Sequence, residues 1–203
     1  MSERTRRFAM MLGGNLAIGV GIALLQVSQL GTDPNTAWGM SLAGVAGVDY
    51  AVAAICLNCV YFGLEFAFGR HFVGPGTIVN WFGIGPIVSG LSKVIMAVWQ
   101  PQALPVRLAL MAVALITVAL GVSLYQTAAL GTSPYDSLSL ILAERLPIPY
   151  FWCRMITDCL STLGAVVLGG LVSVGTLAAV FATGPFVAFF NTHVSEPIWK
   201  PEP

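Results

Sequence analysis

The chain has 203 residues, of which 57% are hydrophobic and only 9% charged, with nine basic side chains balancing nine acidic ones. Soluble domains carry roughly a quarter charged residues, and an ordinary soluble core of this length cannot hide so much apolar surface. The composition calls for an all-α polytopic membrane protein, with the lipid bilayer as its first partner and no nucleic-acid partner.

The first predicted span covers residues 8–28. Arg4, Arg6 and Arg7 ahead of it resemble a secretory signal. No small-residue cleavage site closes the run, however, and the segment recurs internally, so a retained helix is expected. Leu30-Gly31-Thr32-Asp33-Pro34 then interrupts the apolar pattern. Gly31 permits a sharp turn, Thr32 or Asp33 can cap a helix, and Pro34 suits its first position. Residues 35–47 follow as a helix too short to cross a bilayer, either re-entrant or lying along the interface.

Spans are predicted next at 50–69 and 76–98, separated by Gly69-Arg70-His71 and Gly74-Pro75-Gly76. Gln100-Pro101 and Pro105 mark a hairpin to a fourth span at 106–128. Leu130-Gly131-Thr132-Ser133-Pro134 is a second break, leading into a second short helix that runs to Arg145. The last spans are predicted at 149–168 and 175–194, joined at Gly169-Gly170. Cys56, Cys59, Cys153 and Cys159 lie in apolar stretches. Cys56-x-x-Cys59 has no second Cys or His pair, so packing is expected, with no metal and no other cofactor. The glycines at 13–14, 19, 21, 83 and 85 fit close helix packing.

Residues 21–43 and 121–143 are two copies of one segment. Gly21/Gly121, Leu24/Leu124, Gln26/Gln126, Leu42/Leu142 and Ala43/Ala143 match without a gap around the paired Leu-Gly-Thr-X-Pro breaks. One residue out of step, Gly76-Thr77, Phe82 and Gly85-Pro86 recur as Gly175-Thr176, Phe181 and Gly184-Pro185. Residues 1–100 and 101–203 are thus read as two repeats of three spans each, forming one membrane domain. With the N-terminus inside, Arg4, Arg6, Arg7, Arg70, Arg145, Arg154 and Lys200 fall on the cytoplasmic side, against Lys93 and Arg107 outside. An odd number of spans per repeat makes the second copy enter the membrane in the opposite sense. Inverted repeats are a recurring plan of secondary transporters, which bind substrate at the repeat interface.

Candidate substrate-binding residues come from the breaks and from polar positions within spans. At the breaks they are Thr32, Asp33, Asn35 and Thr36, then Thr132, Ser133 and Asp136, because the start of a short helix offers unpaired N–H groups to a polar or anionic ligand. Within the spans they are Asn58, Asn80, Arg154 and Asp158. Arg154 and Asp158, four residues apart, share a helix face and can pair, and charges in a membrane helix usually face a bundle interior or cavity. Asn58 stands at the repeat equivalent of Asp158. Gln26 and Gln126 are expected to bond the exposed backbone of the breaks, Glu65 to pair with Arg70 at the cytoplasmic boundary, and Lys93 to snorkel outward.

Leu-Gly-Thr-Ser-Pro-Tyr-Asp at 130–136, Gly-Thr-Ile-Val-Asn with a following Ile-Gly-Pro at 76–86, and Arg154-x-x-x-Asp158 before Gly169-Gly170 and Gly175-Thr176 resemble bacterial YczE/YitT-type integral membrane proteins, closest to the YczE branch. The resemblance covers essentially the whole chain. It implies a multi-pass protein of the bacterial cytoplasmic membrane and names no activity. In the first copy, Asn35 and Thr36 replace the aromatic residue and Asp that this family commonly shows after the Pro, whereas the second copy retains Tyr135 and Asp136.

A small secondary transporter or exporter of a polar or anionic solute is therefore expected. The alternative is a non-transporting accessory, or a substrate-capture subunit of a larger membrane complex. Small size suggests a homodimer or a membrane-complex partner. No His-Glu-x-x-His, Gly-x-Ser-x-Gly or P-loop motif is present, so neither enzymatic chemistry nor direct use of ATP is expected.

Overall fold

The computed structural model describes residues 3–170 and 172–199. Its helices are α1 (Glu3–Ser28), α2 (Pro34–Ala46), α3 (Tyr50–Phe68), α4 (Pro75–Val98), α5 (Leu104–Thr127), α6 (Pro134–Arg145), α7 (Tyr150–Val167) and α8 (Val174–Phe190). A short 3₁₀ turn, Arg70–Phe72, links α3 to α4, and a π-helical turn, Asn191–Ser195, carries α8 on into α9 (Glu196–Trp199). The short helices after both breaks are therefore present. Asp33 caps α2 and Ser133 caps α6, each with Pro in the first turn.

Among the described residues, five helices are long and apolar enough to cross a membrane: α1, α3, α4, α5 and the run Val174–Trp199. The fifth predicted span, 149–168, forms as the 18-residue α7 but does not join those five. Arg154 and Asp158 lower its apolar character, and its polar face is buried with Thr157, Ser161 and Thr162.

Contacts at the helix ends establish which ends of the helices meet. Arg6 and Arg7 stack over the Trp199 ring, with guanidinium carbons 5.4 and 4.2 Å from its centroid. In the same region, Met10 and Met11 of α1 pack with Ala128, Leu124 and Leu130 at the end of α5. At the far end, Arg107 in the first turn of α5 donates to the carbonyls of Ser28 at 2.7 Å and Gln29 at 2.5 Å. A cation is thus placed on the otherwise unpaired carbonyls that end α1. The helices α1 and α5 are therefore antiparallel, with α4 beside α1 and α8 beside α5.

α1 and α5 cross at glycine. A Cβ on Gly14 would lie 2.7 Å from the Gly121 carbonyl oxygen, and one on Gly121 would lie 2.6 Å from that of Gly14. The repeat-related pair Gly21 and Ala114 makes the second close approach, at 2.9 Å from the Gly21 position to the Ala114 oxygen. Gly13, Gly83 and Gly85, also expected at packing faces, have open or loose surroundings. Cys56, Cys59 and Cys159 are likewise exposed on the protein surface and only Cys153 is buried, so three of the four do not pack in the core as expected.

Asn80 reaches across from α4, its Nδ2 donating to Asn15 Oδ1 at 2.8 Å on α1. Interhelical amide bonds of this kind in membranes are worth about 0.6 kcal/mol on average. Asn80→Leu is accordingly expected to lower the melting temperature in detergent slightly, with size-exclusion elution unchanged. A drop as large as that of a buried-charge variant would contradict this role.

Candidate functional site

The two breaks are built alike. Gln29 and Ala129 adopt left-handed φ values of 53° and 51°, followed by Gly31 at 142° and Gly131 at 111°. Each break then docks on the first turn of a long helix from the other half. The Gly175 N–H donates to the Leu30 carbonyl at 2.8 Å, and the Gly76 N–H to the Leu130 carbonyl at 2.7 Å. Side chains at Gly175 or Gly76 would put a Cβ within 2.7 and 2.5 Å of those backbones. Thr176 Oγ1 adds a bond to the Thr32 carbonyl at 2.8 Å. The Gly-Thr match one residue out of step in sequence is thus the docking partner of the Gly-Thr-X-Pro match.

The short helices pack in the same crossed manner, α2 against α3 and α7, and α6 against α7 and α3. This brings a polar network together around α6. Arg154 forms an ion pair from Nη1 to Asp136 Oδ1 and donates from Nε to Asp158 Oδ2 at 3.2 Å. The Tyr125 hydroxyl donates to Asp136 Oδ2 and accepts from the Ser133 N–H at 3.4 Å. The Tyr135 hydroxyl donates to Asp158 Oδ1 at 2.6 Å and lies 3.2 Å from Ser161 Oγ, while its ring lies under the Arg154 guanidinium. Asp136, Arg154 and Asp158 are all buried. Two carboxylates facing one guanidinium leave the ionised cluster with a net negative charge.

Beside this network lies a cleft of about 230 Å³, bordered by Trp38 of α2, Tyr61 of α3, Tyr135 and Leu138 of α6, and Thr157 and Ser161 of α7. Trp38 and Leu138 are repeat equivalents, as are Tyr61 and Ser161, so the cleft sits where the two halves meet. The Tyr61 and Tyr135 rings are 5.6 Å apart. A larger cleft of about 660 Å³ opens at the first break, lined by Leu30, Gly31, Thr32, Ser41, Gly170 and Ser173 among others and by no charged side chain.

Of the predicted residues, Ser133, Asp136, Arg154 and Asp158 share one network, whereas Thr132 donates to Glu65 outside it. Thr32 lines the larger cleft. Asp33 and Thr36 satisfy each other, with Asp33 accepting from the Thr36 N–H at 3.0 Å and its hydroxyl at 2.6 Å. The two halves thus exchange residue types: Asp caps α2 with Thr at its third position, whereas Ser caps α6 with Asp at its third position. Asn35 Oδ1 is buried without a hydrogen-bond partner among the described residues. Asn58 is half-buried on α3 and takes no part in the network, and Asn80 serves the α1–α4 contact.

Three expectations are corrected. Glu65 does not pair with Arg70: it is fully buried and accepts from Thr132 Oγ1 at 3.5 Å, while Arg70 stacks over Phe66. Arg154 is not an interfacial cation, since two carboxylates hold it inside the bundle, and it leaves the count of orienting charges. Lys200, also in that count, lies outside the described residues. Finally, Gln126 donates to the Tyr150 hydroxyl at 3.2 Å rather than to the break, where backbone bonds already satisfy the exposed groups. Lys93 is exposed, as expected.

Sequence reasoning missed Tyr61 and Tyr125 and the burial of Glu65. The signal available was repeat asymmetry: Tyr125 stands against Leu25, Tyr135 against Asn35, Arg154 against Ala54 and Glu65 against Ala165.

Comparison with known proteins follows this geometry. The model of a family of unknown function, DUF6198, matches residues 5–192. A protein of Haemophilus influenzae described as uncharacterized is 27% identical over 173 residues, 85% of this chain and 78% of the relative. The uncharacterized membrane protein YczE of Bacillus subtilis is 22% identical over 188 residues, 92% of this chain and 86% of the relative. No solved structure matches the chain.

Proposed function

The chain belongs to the DUF6198 family of multi-pass bacterial membrane proteins, and on that premise we propose that it is a small secondary transporter working in the cytoplasmic membrane. It is read as six crossings arranged as two inverted three-helix repeats, with both termini cytoplasmic. The stacking of Arg6 and Arg7 on Trp199 supports an even number of crossings. The crossed docking of each break on the opposite half supports the inversion, because the Gly175–Leu30 bond has its counterpart in the Gly76–Leu130 bond, 99 and 100 residues away. On this reading α2 and α6 are re-entrant, buried against protein as irregular backbone at membrane depth requires.

The observation that carries the proposal is the Asp136–Arg154–Asp158 network beside a cleft at the meeting of the repeats. Buried charges in membrane helices are costly and are characteristically retained along solute or proton pathways. A purely scaffolding role offers no reason for a buried charge cluster beside this cleft. The cleft is smaller than the ~300 Å³ lower end of drug-sized sites. It presents tyrosine, tryptophan and hydroxyl groups, and its charged backing is net negative. Arg154 is saturated by two carboxylates, so a small neutral or cationic polar solute fits better than an anion. The larger uncharged cleft at the Arg107 end serves as the vestibule on the outer side.

Purified protein in liposomes is expected to exchange radiolabelled small amines, amino acids or polyols in a counterflow assay. Asp158→Asn, which keeps an amide oxygen for Tyr135 but replaces the oxygen accepting from Arg154 with an NH2 donor and removes half the charge facing it, is expected to slow exchange about tenfold, equivalent to ~1.4 kcal/mol in the barrier. Absence of exchange for every solute class, together with co-purification in a defined membrane complex, would overturn transport in favour of an accessory role.

A further inference from the structure

We infer that Glu65 is a proton-carrying site, binding one H⁺ at Oε2 and releasing it toward the Arg70–Phe72 end of the molecule. Glu65 lies in the last turns of α3, four residues before Gly69, whose N–H closes the helix on the Glu65 carbonyl at 2.7 Å. Its side chain is fully buried. Oε1 has a single long donor, Thr132 Oγ1 at 3.5 Å, and Oε2 is buried without a partner among the described residues. A carboxylate in this position would be an uncompensated charge, which protein interiors do not tolerate without a cation or several donors.

The charged groups around Glu65 are all committed elsewhere. Asp136 on α6 is itself a carboxylate and offers Glu65 no compensating charge. Its own partners are Arg154 of α7, already shared with Asp158, and Tyr125 of α5. On the turn after α3, Arg70 stacks over Phe66 and His71 pairs with Glu144 at 2.9 Å. From the end of α6, Arg145 donates to the Phe68 carbonyl at 3.2 Å. Thus none of these described basic side chains pairs with Glu65, and a bound proton is what neutralises it.

A packing role does not need the carboxyl, because the repeat-equivalent position holds Ala165, itself fully buried. Access is short: the exposed residues Arg70 and His71 begin five residues further along the chain. Thr132, the one donor to Glu65 among the described residues, belongs to the break whose next residue, Ser133, caps the helix carrying Asp136. A rearrangement of that break which frees Arg154 from Asp136 would alter the field at Glu65 and so exchange its proton. That last link, which makes H⁺ the coupled ion, rests on the transport reading. The proton site itself does not.

The test is infrared difference spectroscopy of the purified full chain in lipid nanodiscs, comparing neutral with alkaline buffer. A carbonyl-stretch band of a protonated carboxylic acid is expected at neutral pH, lost at alkaline pH, absent from Glu65→Gln and displaced in frequency in Glu65→Asp. The same band in Glu65→Gln, or no such band in the wild type, overturns the assignment. Should Glu65→Gln fail to fold, Glu65→Asp decides: a displaced band supports the site and an unmoved one refutes it. Failure of counterflow would end the transport reading while leaving this measurement intact.

Discussion

Arg154→Met is expected to destabilise the detergent-solubilised protein by about 3–5 kcal/mol, the usual cost of removing one partner from a buried ion pair. The substitution keeps an unbranched apolar stem in place of the methylenes of Arg154, so the loss is mostly that of the guanidinium charge and its hydrogen bonds. Without the guanidinium, Asp136 and Asp158, both buried, face each other with only the hydroxyls of Tyr125 and Tyr135 as side-chain donors. Two like charges in such a space cannot both persist. Melting followed by size-exclusion chromatography should show early aggregation or loss of the monodisperse peak. Adding Asp136→Asn and Asp158→Asn to Arg154→Met should restore most of the stability, because the triple variant contains no buried charge to strand. If Arg154→Met alone melted with the wild type, the network could not be buried as described, and the site built on it would fail.

The second large effect is expected at the α1–α5 crossing. Gly14→Leu and Gly121→Leu should each prevent accumulation of folded protein. In both cases the new Cβ would lie within 2.7 Å of a backbone oxygen on the facing helix, so no side-chain rotation relieves the clash and the axes must separate. Overfilling a packed core commonly costs about 1–3 kcal/mol when side chains can adjust; here the contact is backbone on backbone. Separation also pulls on the Arg107 bonds to Ser28 and Gln29 and on the cluster of Ile18, Val122, Tyr125 and Val187. Gly13→Leu supplies the control, since nothing approaches a Cβ there within 4 Å. Equal expression of the Gly13 and Gly14 variants in the membrane fraction would argue against this crossing.

Much of this architecture is legible in the sequence because bilayers and breaks leave strong local marks. Apolar length predicts the spans, and Gly-Thr-X-Pro predicts both interruptions and the capped short helices within a residue or two. Duplication is legible because the same docking contact is made twice and demands Gly at the same places. The exceptions share a physical cause. The fifth predicted span differs from the others because a helix that buries charge need not be uniformly apolar. Glu65 looked interfacial because its neighbour in sequence is Arg70, yet a helix turns about 100° per residue and the two side chains point to different surroundings. Gln126 looked like a natural partner for the break, but the backbone there is already satisfied across the repeat boundary.

The sequence by itself thus determined a multi-pass membrane protein with paired Gly-Thr-X-Pro breaks and one pairing, Arg154 with Asp158, that a single helix turn enforces. Tertiary structure alone decided that Asp136 joins that pair from another helix and that Tyr125 and Tyr135 complete its hydrogen bonds. It also decided that a cleft lies where Trp38 and Leu138 meet. Those choices depend on how α6 sits against α7 and α3, which no local period encodes. Burial then decides which charges must find partners, because apolar surroundings make an unpaired charge too costly to leave alone.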